Sequence, residues 1–396
     1  MPDSVKFNIK LVKWSLDYDS SDSNDLISTP IVLQDKNGPC PLIALINTLM
    51  LSNDLNLSRS DYIPSNQAKS DAILHFKSVL LQHESVAIEL DLLLKHLGDL
   101  LLEFTQDNKS GLRFEIDQLL NSLPLLHTGL TVNPNLINGE FNPEDLSTSL
   151  FTVFDLKFRH GWVINQIDNE NIEWNEEAAP QEGSSSSHAD NYAQVVELFN
   201  ELQTFDRIQD YLLLDSTKDP KLAHNQTLIH KWLDLNRTQL TRIGLDKLNL
   251  CLVNEQFVVL FRNNHFSTMF KKSDKEFYVL ITDTSFQTSK SSSKIIWQSL
   301  NSISGNDDLF FTGDFLPVLN VDQEPQEQYD TDYLLTKQLQ EEEDEALAKR
   351  MQQSYDKKLV KSENQAKEQK TPTPAPKPIA KDAPKKKKKK SVCVIV

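Results

Sequence analysis

The chain has 396 residues, 39% of them hydrophobic, which is enough to bury one large core or two ordinary ones. Its formal net charge of −16 is uneven: residues 377–396 carry eight Lys and one Asp, leaving −23 for the rest, and so acidic a body argues against nucleic acid as a partner. The three cysteines, Cys40, Cys251 and Cys393, lie far apart with no CxxC or His-rich spacing, so neither a disulfide framework nor a zinc ribbon is supported and no metal or other cofactor is called for.

In chain order, residues 5–14 alternate apolar and polar side chains and residues 27–33 are β-rich, so both read as strands, either side of an acidic Ser/Asp/Asn loop at 17–25. The second strand runs into Gln34, then Asn37-Gly38-Pro39-Cys40-Pro41. From Leu42 onward, Leu42, Ile43, Leu45, Ile46, Leu49 and Met50 follow the three-and-four spacing of one buried helical face. Pro41 suits the first helical position, which puts Cys40 at the helix entrance. Helices are expected over 71–84, 86–104 and 114–123, turn-rich chain around 130–147, and strand or short helix over 150–158. His160-Gly161-Trp162 follows, then an acidic, serine-rich loop at 168–190 that is expected to be mobile. Helices resume at 191–203 and 227–249. Residues 256–262, 266–271 and 276–282 read as a β-meander, and 297–300 closes the folded region, with order fading after Leu319. Residues 1–14 lack the apolar run of a signal peptide, and no window approaches 18 uninterrupted apolar residues. A cytosolic or nuclear location is expected unless something attaches the protein to a membrane.

Cys40 is the chemically suggestive residue. A core cysteine belongs inside a periodic apolar face, whereas this one precedes it, at a turn between two prolines, where the positive end of the helix dipole favours a thiolate. The competing reading is a small buried apolar residue. Gln34, six residues upstream, offers an amide that can donate to an oxyanion. A thiolate nucleophile also needs a base. Among nine histidines His265 is best placed, because a turn between two strands can aim it, and His160 is its rival. Asp283 stands at a strand end downstream, where it reads either as a residue orienting His265 or as a surface turn Asp.

Five blocks then occur in a familiar order: Gln34…Asn37-Gly38-Pro39-Cys40-Pro41-Leu42, Thr128-Gly129-Leu130…Asn133, His160-Gly161-Trp162, Gln239-Leu240-Thr241…Gly244-Leu245, and Arg262-Asn263-Asn264-His265-Phe266-Ser267-Thr268. Over roughly residues 5–318 the chain resembles the MINDY family of deubiquitinases. The resemblance implies an α+β, papain-like cysteine protease fold of the MINDY type with a disordered C-terminal tail. It also implies Cys40 as nucleophile, His265 as general base and acid, Gln34 as oxyanion-hole donor, and lysine-48-linked polyubiquitin as substrate. Residues 1–319 are then the catalytic domain. The alternatives are an inactive ubiquitin-binding adaptor on the same scaffold and a cysteine peptidase for another substrate.

Beyond it, the acidic helical segment 330–356 resembles the MIU ubiquitin-binding helix, with Leu335 and Leu339 in a first copy and Leu347 and Ala348 in a second. Thr336 departs from the alanine usual at the centre of the first copy. A solvated charged helix is the plainer reading. Residues 357–392 form a disordered basic linker, and Cys393-Val394-Ile395-Val396 has the C-a-a-X form expected of prenylation at Cys393. With Lys385 to Lys390 directly upstream, the expected location is cytoplasmic, with peripheral membrane contact through the prenylated basic tail.

Overall fold

Helix α1 (Cys40–Ser58) has no exposed face over its first three turns: every residue from Pro41 to Leu51 is buried. The three-and-four spacing predicts one buried stripe. The segment between its apolar positions holds only Ala44, Asn47 and Thr48, so it is apolar nearly all round, and such a helix belongs inside a core. The computed structural model describes residues 5–318 apart from 17–25, 36–39, 65, 85, 107–113, 166–184, 288–291, 301 and 306–307.

Two sheets pack against α1. One is the antiparallel pair β2 (Ile9–Trp14) and β3 (Ile27–Val32), in the register Ile9↔Val32 to Trp14↔Ile27. The other has six strands in the order β10 (Phe310–Phe311), β9 (Trp297–Ser299), β8 (Glu276–Leu280), β7 (His265–Ser273), β6 (Gln256–Arg262) and β5 (Phe158–His160). From β6 to β10 all neighbours are antiparallel, the expected meander. β5 is different, because it joins the far edge parallel to β6. Residues 150–158 therefore divide: α6 (Leu146–Thr152) finishes first and the strand begins at Phe158.

Helices α2 (Gln67–Gln82), α3 (Leu90–Thr105), α4 (Ile116–Ser122) and α5 (Leu125–Thr128) share one apolar core with α1 and with Phe141, Phe158, Phe261 and Phe266. A short pair, β1 (Lys6–Phe7) and β4 (Ile88–Glu89), ties the N-terminal strand to the start of α3. A separate core around Phe199, Trp162 and Trp232 gathers α7 (Ser185–Leu202), α8 (Phe205–Leu212) and α9 (Pro220–Leu235). Here the sequence reading needs three corrections. Helix α7 begins inside the stretch expected to be loop, α8 was not anticipated, and the helix expected over 227–249 is two, α9 and α10 (Arg242–Cys251). The break falls where Gln239 takes φ 51°, in the left-handed region. Thr241 then caps α10 by accepting the Gly244 N–H at 3.0 Å. Among the described residues no helix is long and apolar enough to cross a membrane.

Candidate active site

The helix starts on Cys40 itself, one residue earlier than Pro41 would suggest. Its thiol is half-buried and packs against the main apolar core. Burial pushes the Cys40 thiol above its ordinary pKa, while the backbone N–H groups of Phe266 and of Cys40 itself pull it down by a smaller amount. The expectation that the helix entrance favours a thiolate is therefore reversed. An apolar neighbourhood disfavours the charged sulfur more than the first-turn amides favour it.

The same contact brings in His265. Phe266, whose amide faces the Cys40 sulfur, is the next residue on β7, so the histidine at the head of that strand is one residue from this contact. His265 follows a two-residue turn in which Asn263 (φ 50°) and Asn264 (φ 57°) both occupy the left-handed region, the geometry of a type I′ hairpin. That turn is held from behind. Arg262 donates from Nε to the Thr238 carbonyl (3.0 Å) and from Nη2 to the Ile303 carbonyl (2.6 Å). With its amide nitrogen turned toward them, Asn263 donates to Thr238 at 2.8 Å. Surrounding protein atoms hold the His265 pKa below its ordinary value, although the residue is exposed. Burial thus pushes both the thiol and the imidazole toward their neutral forms.

Gln34, two residues beyond β3, is clamped through its backbone to the chain leaving β8. Its N–H donates to the Thr282 carbonyl (2.8 Å), and its carbonyl accepts from Thr284 N–H (3.0 Å). Asp283 lies between those two contacts, exposed, with Oδ1 accepting the Ser285 N–H at 2.7 Å. It is a turn residue, and its carboxylate is occupied in starting the 3-10 turn Thr284–Gln287.

The profile of the MINDY deubiquitinases matches residues 5–315 of the chain. The chain belongs to the MINDY deubiquitinase family. It is 34% identical over 333 residues to the ubiquitin carboxyl-terminal hydrolase MIY1 of Saccharomyces cerevisiae, covering 79% of this chain and 80% of that one. It is 28% identical over 295 residues to mouse MINDY-1, covering 72% of this chain and 51% of that one. To human MINDY-2 it is 27% identical over 356 residues, covering 86% of this chain and 46% of that one. It thus spans about half the length of these two mammalian relatives.

Within this MINDY domain the remaining sequence blocks are structural. His160 is 1% exposed, and both ring nitrogens are engaged: Nδ1 accepts the Trp162 N–H (3.2 Å) and Nε2 faces the Glu140 carbonyl (3.2 Å). Burial lowers its pKa to about 4, so the rival histidine is a neutral core residue. Gly161 and Gly244 allow β5 and α10 to touch. A Cβ on Gly244 would lie 1.8 Å from the Gly161 carbonyl oxygen. Asn133 accepts the Asp206 N–H at 3.0 Å and so holds the start of α8.

Sequence reasoning passed over two buried polar residues of α1. Asn47 makes both hydrogen bonds that a neighbouring strand would make to Val32, accepting its N–H at 2.7 Å and donating to its carbonyl at 2.9 Å. Thr48 shares a 2.9 Å hydrogen bond with Thr268 of β7. Their signal in the sequence was two polar side chains inside an apolar helix, where an unpaired polar group is costly. The segment 36–39, the MIU-like residues Leu335, Leu339, Leu347 and Ala348, and Cys393 lie outside the described residues.

Proposed function

We propose that the chain hydrolyses isopeptide bonds in lysine-48-linked polyubiquitin, with Cys40 as nucleophile, His265 as general base and acid, and Gln34 as oxyanion-hole donor. The observation that carries this reading is the seat of the Cys40 sulfur against the Phe266 amide, one residue from His265. The relatives' names, ubiquitin carboxyl-terminal hydrolases, support the substrate class. From the neutral resting pair, His265 takes the thiol proton as sulfur attacks the isopeptide carbonyl. The Gln34 amide and the Cys40 N–H stabilise the oxyanion, an effect of about 3–4 kcal/mol per donor. His265 then returns the proton to the departing lysine amine, and water, deprotonated by the same ring, releases the carboxylate and regenerates the thiol.

Two measurements test it. A ubiquitin-derived electrophile should label Cys40 covalently, and Cys40→Ala should abolish cleavage of lysine-48-linked chains while still binding them. Wild-type cleavage by Cys40→Ala would refute the assignment, and binding without labelling or cleavage in the wild type would favour the adaptor reading.

The tail extends the proposal. The two acidic repeats are read as docking sites for successive ubiquitins, and the prenylated Cys393 with its lysine run as an anchor for a cytoplasmic enzyme at an anionic membrane surface. Leu347→Ala with Ala348→Gly should then slow long chains more than di-ubiquitin. Cys393→Ser should move the protein from membrane to cytosol on fractionation. Equal effects on both chain lengths, or an unchanged distribution, would remove the corresponding part.

A further inference from the structure

Cys40, Ala44 and Thr48 are spaced four residues apart and so form one row along α1, a row that lies against β7. Opposite them are Phe266 and Thr268, consecutive inward positions of that strand and both buried, at 5% and 1% exposure. Polar contacts tie the row to the strand. The Phe266 amide faces the Cys40 sulfur, the Thr268 hydroxyl donates to the Ala44 carbonyl (3.3 Å), and the Thr48 and Thr268 hydroxyls share a 2.9 Å hydrogen bond. Apolar side chains of the main core pack around them.

Apolar contact is non-directional, and a smooth helix can slide or roll on a sheet at little cost. A buried hydroxyl pair tolerates no such movement, since a shift of an ångström leaves two polar groups without partners. We infer that the Thr48–Thr268 pair is a positioning device that sets the height of the Cys40 sulfur along β7 and hence its alignment with His265. This rests on the proposed roles of Cys40 and His265. The pair sits eight residues from Cys40 on the helix and three from His265 on the strand, so neither threonine is placed to touch a reacting atom. It acts through two rigid elements. A second tie works from an adjacent face of the helix, where Asn47 fixes Val32 of β3 and, two residues on, Gln34 is clamped to the end of β8. Helix, hairpin and sheet therefore close a ring of hydrogen bonds around the site.

The test is a comparison of Thr48→Val, Thr48→Ser and the double variant Thr48→Val/Thr268→Val in the full chain. Valine keeps the shape and removes the hydroxyl, serine keeps the hydroxyl, and the double variant removes both hydroxyls so that neither is left orphaned. The double variant thereby separates misfolding from misalignment, and thermal melting reports which has occurred. The expected result is a fall in kcat of about 10- to 100-fold for Thr48→Val and for the double variant, with KM unchanged and Thr48→Ser close to wild type. Wild-type kcat in a folded double variant, or a serine variant as impaired as the valine, would overturn the inference. A second readout needs no ubiquitin: iodoacetamide alkylation followed on the Cys40 peptide by mass spectrometry across pH. Displacing Phe266 removes an amide from the sulfur, so the valine variants should alkylate at higher pH than wild type and serine. If the wild type cleaves no chain, the functional reading fails while alkylation still decides this one, and identical profiles in all four proteins would overturn it.

Discussion

His160 and His265 flank the same end of β6, paired across it with Phe261 and Arg262, and their surroundings are opposite. At His160 the backbone takes both ring nitrogens, Phe141 packs edge-on at 5.0 Å, and a glycine contact seals the strand end against α10. At His265 a two-asparagine turn brings the ring to the surface, and among the described residues no side chain or carbonyl holds its nitrogens. Both rings are pushed toward the neutral form by burial. A lowered pKa alone therefore does not mark a catalytic histidine. What separates the two is whether the ring still has a nitrogen to offer.

The sharpest way to break this comparison is to exchange the expected losses. Gly244→Ala places a methyl 1.8 Å from the Gly161 carbonyl oxygen and 2.5 Å from its carbon, backbone atoms that cannot rotate away. It should destabilise the domain by more than about 4 kcal/mol and leave little soluble protein. His265→Ala, by contrast, should abolish turnover with a change of stability within about 0.5 kcal/mol. Soluble yield, melting and activity of the two variants check this. A well-folded Gly244→Ala or a melted His265→Ala would reverse the roles assigned to the two strand ends.

A smaller effect follows from the sealed histidine. The folded state holds the His160 pKa at about 4, well below the ordinary value of 6.5, so between those values the unfolded chain binds the extra proton and the folded one does not. The contribution is complete above pH 6.5 and is lost progressively as pH falls toward 4, amounting to about 3 kcal/mol. Urea unfolding at pH 7, 5 and 4 should show this acid loss in the wild type and a weaker one in His160→Asn. Equal pH dependence would mean that the ring is not the group responsible.

The smallest expected signal sharpens the other side. Because burial lowers the His265 pKa, the acid limb of kcat/KM should have its midpoint below 6.5, with the neutral base predominant at pH 7. Because burial raises the Cys40 thiol, site-resolved alkylation should titrate above the ordinary thiol value of 9.0. An acid limb above 6.5, or a thiol that titrates near neutrality, would show an ion pair in place of the neutral resting pair.

What the sequence by itself determined was local. Alternation placed β2, and β-rich composition placed β3 and the meander of β6, β7 and β8. The proline after Cys40 located a helix entrance to within one residue, and the two asparagines before His265 marked a hairpin, since each of these signals is contained in a few neighbouring residues. The five blocks were equally visible, but their meaning was not. Whether Gly161 serves chemistry or close packing depends on Gly244, 83 residues away, and only the approach of β5 to α10 shows it. The parallel pairing of β5 with β6, the burial of α1 on every side and the partners of Asn47 and Thr48 are likewise set by segments that meet in space. The protonation of Cys40 belongs with them: a helix entrance favours a thiolate by itself, and the core that closes over this one decides otherwise, because desolvating a charge costs more than two amide hydrogen bonds return.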